Sequence, residues 1–138
     1  MTKGYILKPG AADWAPITLT GYDELSAAIG GYIQVIPVDE PVTLYCHEEG
    51  KILALPASAV WLYNGHPHDT IRGPIVLFGP PDGEGDDTDA NSTHLAAIKG
   101  VIAPVVNLLT QGKPGDIMSM ITLGAVLGRK ESARGRKR

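Results

Sequence analysis

The sequence predicts an α+β fold: a small, mostly antiparallel sheet with one N-terminal helix, followed by a C-terminal pair of apolar helices. Three observations lead there. Short β-prone runs of alternating polarity recur through the first 79 residues, punctuated by Pro, Gly and Asn turns. A Pro-, Gly- and Asp-rich stretch over 80–92 then breaks the composition. Beyond it, apolar residues fall at helical spacing. The chain accordingly reads as an α+β core (1–79), an acidic Gly/Pro linker (80–92), a helical hairpin (93–128) and a basic disordered tail (129–138).

The first strand is expected over Gly4–Lys8 (GYILK), ended by the turn pair Pro9-Gly10. Residues 11–16, with Trp14, read as a loop. Thr20 followed three residues later by Asp23 has the form of a capping box. Leu25, Ala28 and Ile29 then share a helical face, and Gly30-Gly31 stops the helix. A strand is expected in Tyr32–Val38, its end pushed to an edge by Pro37. Val42–His47 alternates cleanly, Glu48-Glu49-Gly50 forms a turn, and Lys51–Leu55 (KILAL) is expected to return as the partner strand of a hairpin. Val60–Tyr63 precedes an Asn64-Gly65 turn. Pro74–Gly79 is a continuous apolar run bounded by Gly and Pro, which predicts a buried strand.

The linker GPPDGEGDDTDAN is expected to be flexible. After it, His94–Gln111 places apolar residues around most of a helix, which Pro104 is expected to kink or break, and Asp116–Gly128 supplies the second apolar helix. Helices this apolar need cover, either by packing on the sheet or by packing against another copy of the chain, and the second arrangement predicts self-association through 93–128.

A hydrophobic content of 43% supplies a core and argues against global disorder. Met1–Gly10 has no apolar run behind basic residues, so no secretory signal is expected, and no stretch is long enough to span a membrane. With Cys46 as the sole cysteine there is no internal disulfide, which fits a reducing compartment. Charge is split. Residues 129–138 hold six basic residues against one acid, a net +5, while the remainder carries six basic against fourteen acidic, a net −8. Arg129, Lys130, Arg134, Arg136, Lys137 and Arg138 are therefore candidates for nucleic-acid contact.

No catalytic set is apparent. There is no G-x-S-x-G, no Walker A sequence and no dinucleotide-binding glycine pattern after a strand. His66 and His68 flank Pro67 and lack a third ligand at metal-binding spacing, so they read as loop residues and no metal site or cofactor is expected. Asp82–Thr93 fails the calcium-loop test, with Asp87 where glycine is required and Thr93 where glutamate is required. His47, Glu48 and Glu49 are placed at an exposed hairpin tip, where nothing would separate two carboxylate pKa values for acid–base work. Cys46 shares a face with Val42 and Leu44 and reads as a buried thiol. Tyr32, His47, Glu48, Glu49, His66 and His68 remain as contact candidates for a ligand or partner.

The run of Gly30-Gly31-Tyr32-Ile33, Glu48-Glu49-Gly50-Lys51, Leu55-Pro56 and Asp69-x-Ile71-x-Gly73 before an apolar strand resembles a family of small proteins of unknown function from phages, plasmids and their bacterial hosts. That family shows GGYIE-like, NEEGK-like and LPxN-like segments; here they read GGYIQ, HEEGK and LPAS, across about 20–79. With no catalytic set in view the chain reads as a non-enzymatic accessory protein, and the resemblance implies that it is phage-encoded and binds a host protein in the host cytoplasm, a host defence or regulatory factor being one target. A nucleic-acid-associated protein using the tail, and a small-ligand or nucleotide-binding oligomer, are the alternatives.

Overall fold

Ile75–Phe78 (β7), in the run predicted to be a buried strand, is the central strand of the larger of two sheets. The structure, a computed structural model, describes residues 1–110. The strands are β1 (Thr2–Leu7), β2 (Ala15–Leu19), β3 (Ile33–Val35), β4 (Thr43–His47), β5 (Ala57–Tyr63), β6 (His66–Arg72), β7 and β8 (Ile102–Pro104). The helices are α1 (Gly21–Ile29), α2 (Ser92–Lys99) and α3 (Val105–Thr110). The architecture is α+β. A five-stranded sheet has the order β2-β1-β7-β4-β3 and a three-stranded sheet the order β6-β5-β8, with every pairing antiparallel.

Strand alternation divides the larger sheet between two cores. Ile75 and Leu77 join Leu7, Leu44 and Ile36 in a core that also takes Ala59 and Ile71 of the second sheet, together with Ile98 and Ile102. Val76 and Phe78 point the other way, to Ile6, Leu19 and the Leu25–Ile29 stripe of α1. A strand covered on both faces has no polar side, which is why β7 reads as an unbroken apolar run. Gly4 of β1 is required there. A Cβ at this position would collide with the Leu77 carbonyl and the Phe78 ring.

α1 ends as predicted, at Gly30 in the left-handed region (φ 97°), whose N–H donates to Ser26 O at 2.8 Å. Its start differs from the predicted capping box. The Thr20 side chain makes no cap bond, and the Thr20 N–H donates to Glu24 Oε1 at 3.0 Å, so Glu24 rather than Asp23 is the acid that serves the N-terminus.

The predicted hairpin is not formed. β4 does pair on both sides, with β3 and β7, which leaves no free edge for Lys51–Leu55. Residues 48–54 instead coil through successive turns, with Leu53 N–H donating to Glu49 O (2.9 Å) and Leu55 N–H to Gly50 O (2.9 Å). Residues 15–19, partly read as loop, form edge strand β2, and the strand expected over Tyr32–Val38 shortens to Ile33–Val35.

The segment 80–92 is hydrogen-bonded into the body of the molecule. Asp82 Oδ1 accepts the Glu84 and Asp86 N–H groups, Gly79 N–H donates to Thr88 O, and Ala90 N–H donates to Lys3 O at 2.8 Å. The Asp89 carboxylate accepts the Lys3 N–H, and the Tyr45 hydroxyl donates to Asp87 at 2.9 Å. The stretch expected as a linker is thus a hydrogen-bonded loop. Beyond the loop, Asn91 caps α2 by accepting the Thr93 and His94 N–H groups, while His94 Nδ1 accepts the Asn91 N–H. The long helix expected over His94–Gln111 is interrupted: α2 stops at Lys99, and Ile102–Pro104 pairs with β5 before α3 begins. The second apolar helix (116–128) and the basic tail lie outside the described residues. No helix among the described residues is long and apolar enough to cross a membrane.

Candidate functional site

The two sheets part at one end, leaving a cleft of about 230 Å³. One side is the β3 edge from Gln34 to Pro37 with Cys46 and His47 of β4; the other is Trp61 of β5 and Asp69–Arg72 of β6. Gly50 and Lys51 of the 48–54 turn lie across it.

Close contacts hold these pieces together. Gly31, the residue after the Gly30 cap of α1, sits against the His47 ring, and a Cβ there would lie 2.6 Å from Nε2. His47 is 7% exposed, and its Nδ1 accepts the Glu49 N–H at 3.0 Å. An accepting Nδ1 places the proton of the neutral ring on Nε2. Gly50 meets β6 just as closely: a Cβ would stand 2.5 Å from Arg72 O. Lys51 Nζ binds both carboxylate oxygens of Asp69, at 2.5 and 2.6 Å. Arg72 Nη1 donates to Leu55 O (3.1 Å), Gly73 N–H donates to Pro56 O (2.9 Å), and the buried Ser58 hydroxyl donates to Gly73 O (2.6 Å). Gly31, the 48–51 turn, Leu55-Pro56 and Asp69–Gly73 are distant in sequence and contiguous here.

The electrostatics do not prepare a nucleophile. Burial pushes the Cys46 thiol up to about 11; the Lys51 ammonium opposes this weakly and the Asp69 carboxylate adds to it. The thiol is therefore protonated at neutral pH. His47 follows Cys46 directly in β4, so the two side chains point to opposite faces of the sheet. Lys51 and Asp69 neutralise each other at a partly exposed site, where such a pair contributes at most about 1 kcal/mol. Among the described residues, no group of three or more His, Cys, Asp or Glu side chains is placed to hold a metal.

The residues singled out from sequence distribute as follows. His47 is buried rather than exposed at a tip, because residues 48–54 fold back instead of forming a hairpin. Glu48 is exposed, and its N–H donates to Tyr32 O. Glu49 is half-buried, and Tyr32 is exposed beside the turn. His66 and His68 lie in strand β6 rather than in a loop, away from this cleft. His68 contacts Trp61 edge-on at a centroid distance of 5.0 Å and Tyr63 at 6.2 Å. Sequence reasoning did not single out Lys51, Asp69, Arg72 or Trp61 as site residues. Asp69 and Lys51 were visible as motif positions, but nothing local indicated that they pair. The candidate nucleic-acid contacts in 129–138 lie outside the described residues.

Residues 1–101 match the family described as a domain of unknown function, DUF3846. The chain belongs to this family. No curated protein and no solved structure matches it. The DUF3846 match runs from β1 through α2 and takes in every residue that lines the cleft, together with the 80–92 loop; β8 and α3 fall beyond it.

Proposed function

We propose that this DUF3846 protein is a non-enzymatic binding protein, an accessory of a phage or mobile element, that engages a host protein in the host cytoplasm along the β3 edge beside the cleft. The observation that carries this reading is the state of that edge. Glu48 N–H donates to Tyr32 O and Ile36 N–H to Leu44 O, so in this register the hydrogen-bonded pairs are Tyr32/Glu48, Gln34/Cys46 and Ile36/Leu44. Ile33 and Val35 therefore turn their N–H and C=O groups away from β4, on the side where the sheet has no further strand among the described residues. Val35 on this strand and Tyr32 just before it are exposed, as are Ile52 and Leu53 on the 48–54 turn. An open edge beside exposed apolar side chains suits an added strand from a partner. The cleft beside this edge, at about 230 Å³, is below the size usual for a drug-like ligand, so at this edge a protein partner is favoured over a small molecule. The protonated Cys46 and the mutually neutralised Lys51–Asp69 pair support a non-enzymatic role.

The test compares proteins captured from host lysate by the wild type and by Val35→Lys, since a lysine at an edge blocks strand addition. A host protein held by the wild type and lost with the variant, at unchanged thermal midpoint, supports the reading. Identical capture by both counts against it.

Charge separation favours a second reading, in which Arg129–Arg138 contact nucleic acid. Counterion release would make such binding fall steeply with salt. Removing the tail charges would abolish it. Self-association through 93–128 is part of the first reading, and light scattering that shows a monomer at micromolar concentration would refute it.

A further inference from the structure

β5 and β6 do not pair evenly. Trp61 stands opposite Asp69, but the next residue, Leu62, stands opposite Pro67. His68 is the extra residue of a β-bulge, and a bulge re-aims the side chain it carries. The His68 ring is set edge-on to Trp61 (5.0 Å, 86°) and tilted against Tyr63 (6.2 Å, 48°). These three rings line one side of a cleft of about 350 Å³. The segment between β3 and β4 contributes Pro37, Val38, Asp39 and Glu40 to it. Tyr63 is 63% exposed. Among the described residues neither Asp39 nor Glu40 takes part in an ion pair.

We propose that this aromatic–acidic cleft receives the guanidinium of an arginine side chain from a basic segment of a partner protein. Ring faces attract a cation through their quadrupole, and indole and phenol are the better hosts. The two carboxylates supply the charge complement that a neutral or anionic group would leave unused. Leu62 and Val101 also line the cleft and provide apolar cover for the methylene stem. A planar guanidinium stacks on rings in a way a compact ammonium does not. The site shares only Pro37 and Trp61 with the cleft beside β3, among the described lining residues, so it stands or falls independently of the function proposed above.

The test is an NMR titration of the full-length chain with N-acetyl-arginine methylamide, with the citrulline analogue as an uncharged probe of the same shape. The arginine probe is expected to shift the Trp61 indole and His68 ring signals and leave Trp14 unmoved, and to bind about fivefold more tightly than citrulline. Tyr63→Ala, and Asp39→Asn combined with Glu40→Gln, are each expected to weaken it several-fold. The unchanged remainder of the amide spectrum reports that the variants fold. Equal binding of both probes, or undiminished binding by both variants, overturns the proposal. The titration is repeated in a full-length chain carrying Arg134→Gln, Arg136→Gln, Lys137→Gln and Arg138→Gln. Unchanged affinity supports an external partner, whereas tighter binding would assign the cleft to the chain's own tail and overturn that assignment.

Discussion

Gly31 and His47 are in direct contact, with room for a hydrogen and no more: a methyl group on Gly31 would lie 2.6 Å from Nε2. The imidazole is buried and held through Nδ1 by the Glu49 N–H, so it has little freedom to move aside. Gly31→Ala is expected to cost about 1–3 kcal/mol as an overpacking change. In a His47→Ala background the cost should shrink markedly, because the two positions share the contact. Urea denaturation of the four proteins of this cycle measures the coupling; strict additivity would show that the contact does not govern stability.

Gly50→Ala is expected to be harsher. The obstacle there is Arg72 O, which an added methyl group would approach to 2.5 Å, and a backbone carbonyl in a paired strand cannot rotate away like a side chain. The 48–54 turn must move off β6. A loss above that of Gly31→Ala in the same denaturation experiment is the expected result, and a smaller loss would contradict it.

Stability should fall under alkaline conditions. The Cys46 thiol is raised by burial from 9.0 to about 11, and the Tyr45 hydroxyl is raised from 10.0 by burial and by its hydrogen bond to Asp87. For a group whose folded pKa is raised, the unfolded chain loses its proton first. The contribution is therefore complete below the unfolded pKa and is lost as pH rises toward the folded one. Cys46 acts between about pH 9 and 11 and Tyr45 from about pH 10 upward. Cys46→Ala should flatten the lower part of a plot of unfolding midpoint against pH, and an unchanged slope would show that the thiol is not the source. Alkylation of Cys46 by iodoacetamide at neutral pH should likewise be slower than that of a free thiol.

Trp14 is buried in the core between the sheets, and its indole N–H has no acceptor among the described residues. An orphaned donor costs about 1–3 kcal/mol, so removing it offsets part of the packing lost on truncation. Trp14→Phe is expected to destabilise by less than about 1.5 kcal/mol, against about 3–5 kcal/mol for Trp14→Ala. Comparable losses for both would show that the N–H is satisfied in solution.

Local features were legible where one short segment determines its own surroundings. The apolar run of β7 between Gly73-Pro74 and Gly79-Pro80 requires burial, and Gly30 requires a helix end. The KILAL segment misled because alternation reports a period, whereas pairing depends on a vacant edge; β4 has none, since β3 and β7 flank it. The acidic 80–92 segment looked solvated because composition does not reveal that Asp82 and Asp89 would accept backbone N–H groups. At the cleft, the motif residues stood out individually, but the Gly31–His47, Gly50–Arg72 and Lys51–Asp69 contacts arise only once strands distant in sequence are brought together. The bulge at His68 is a register slip between β5 and β6, and neither strand alone encodes it.

The central place of β7 also orders events during synthesis. β1 and β4 each border it, so the five-stranded sheet has a gap in its middle until Ile75–Phe78 has been translated. Before then the nascent chain can assemble only the β1–β2 and β3–β4 pairs of that sheet, with the apolar sides of Leu7 and Leu44 exposed. Such long-range closure slows folding and prolongs exposure of sticky surface. A nascent chain stalled with Ile75–Phe78 still inside the ribosomal exit tunnel should therefore be a chaperone-binding client, and one stalled far enough on for Ala90, whose N–H secures Lys3, to have emerged should be protease-resistant.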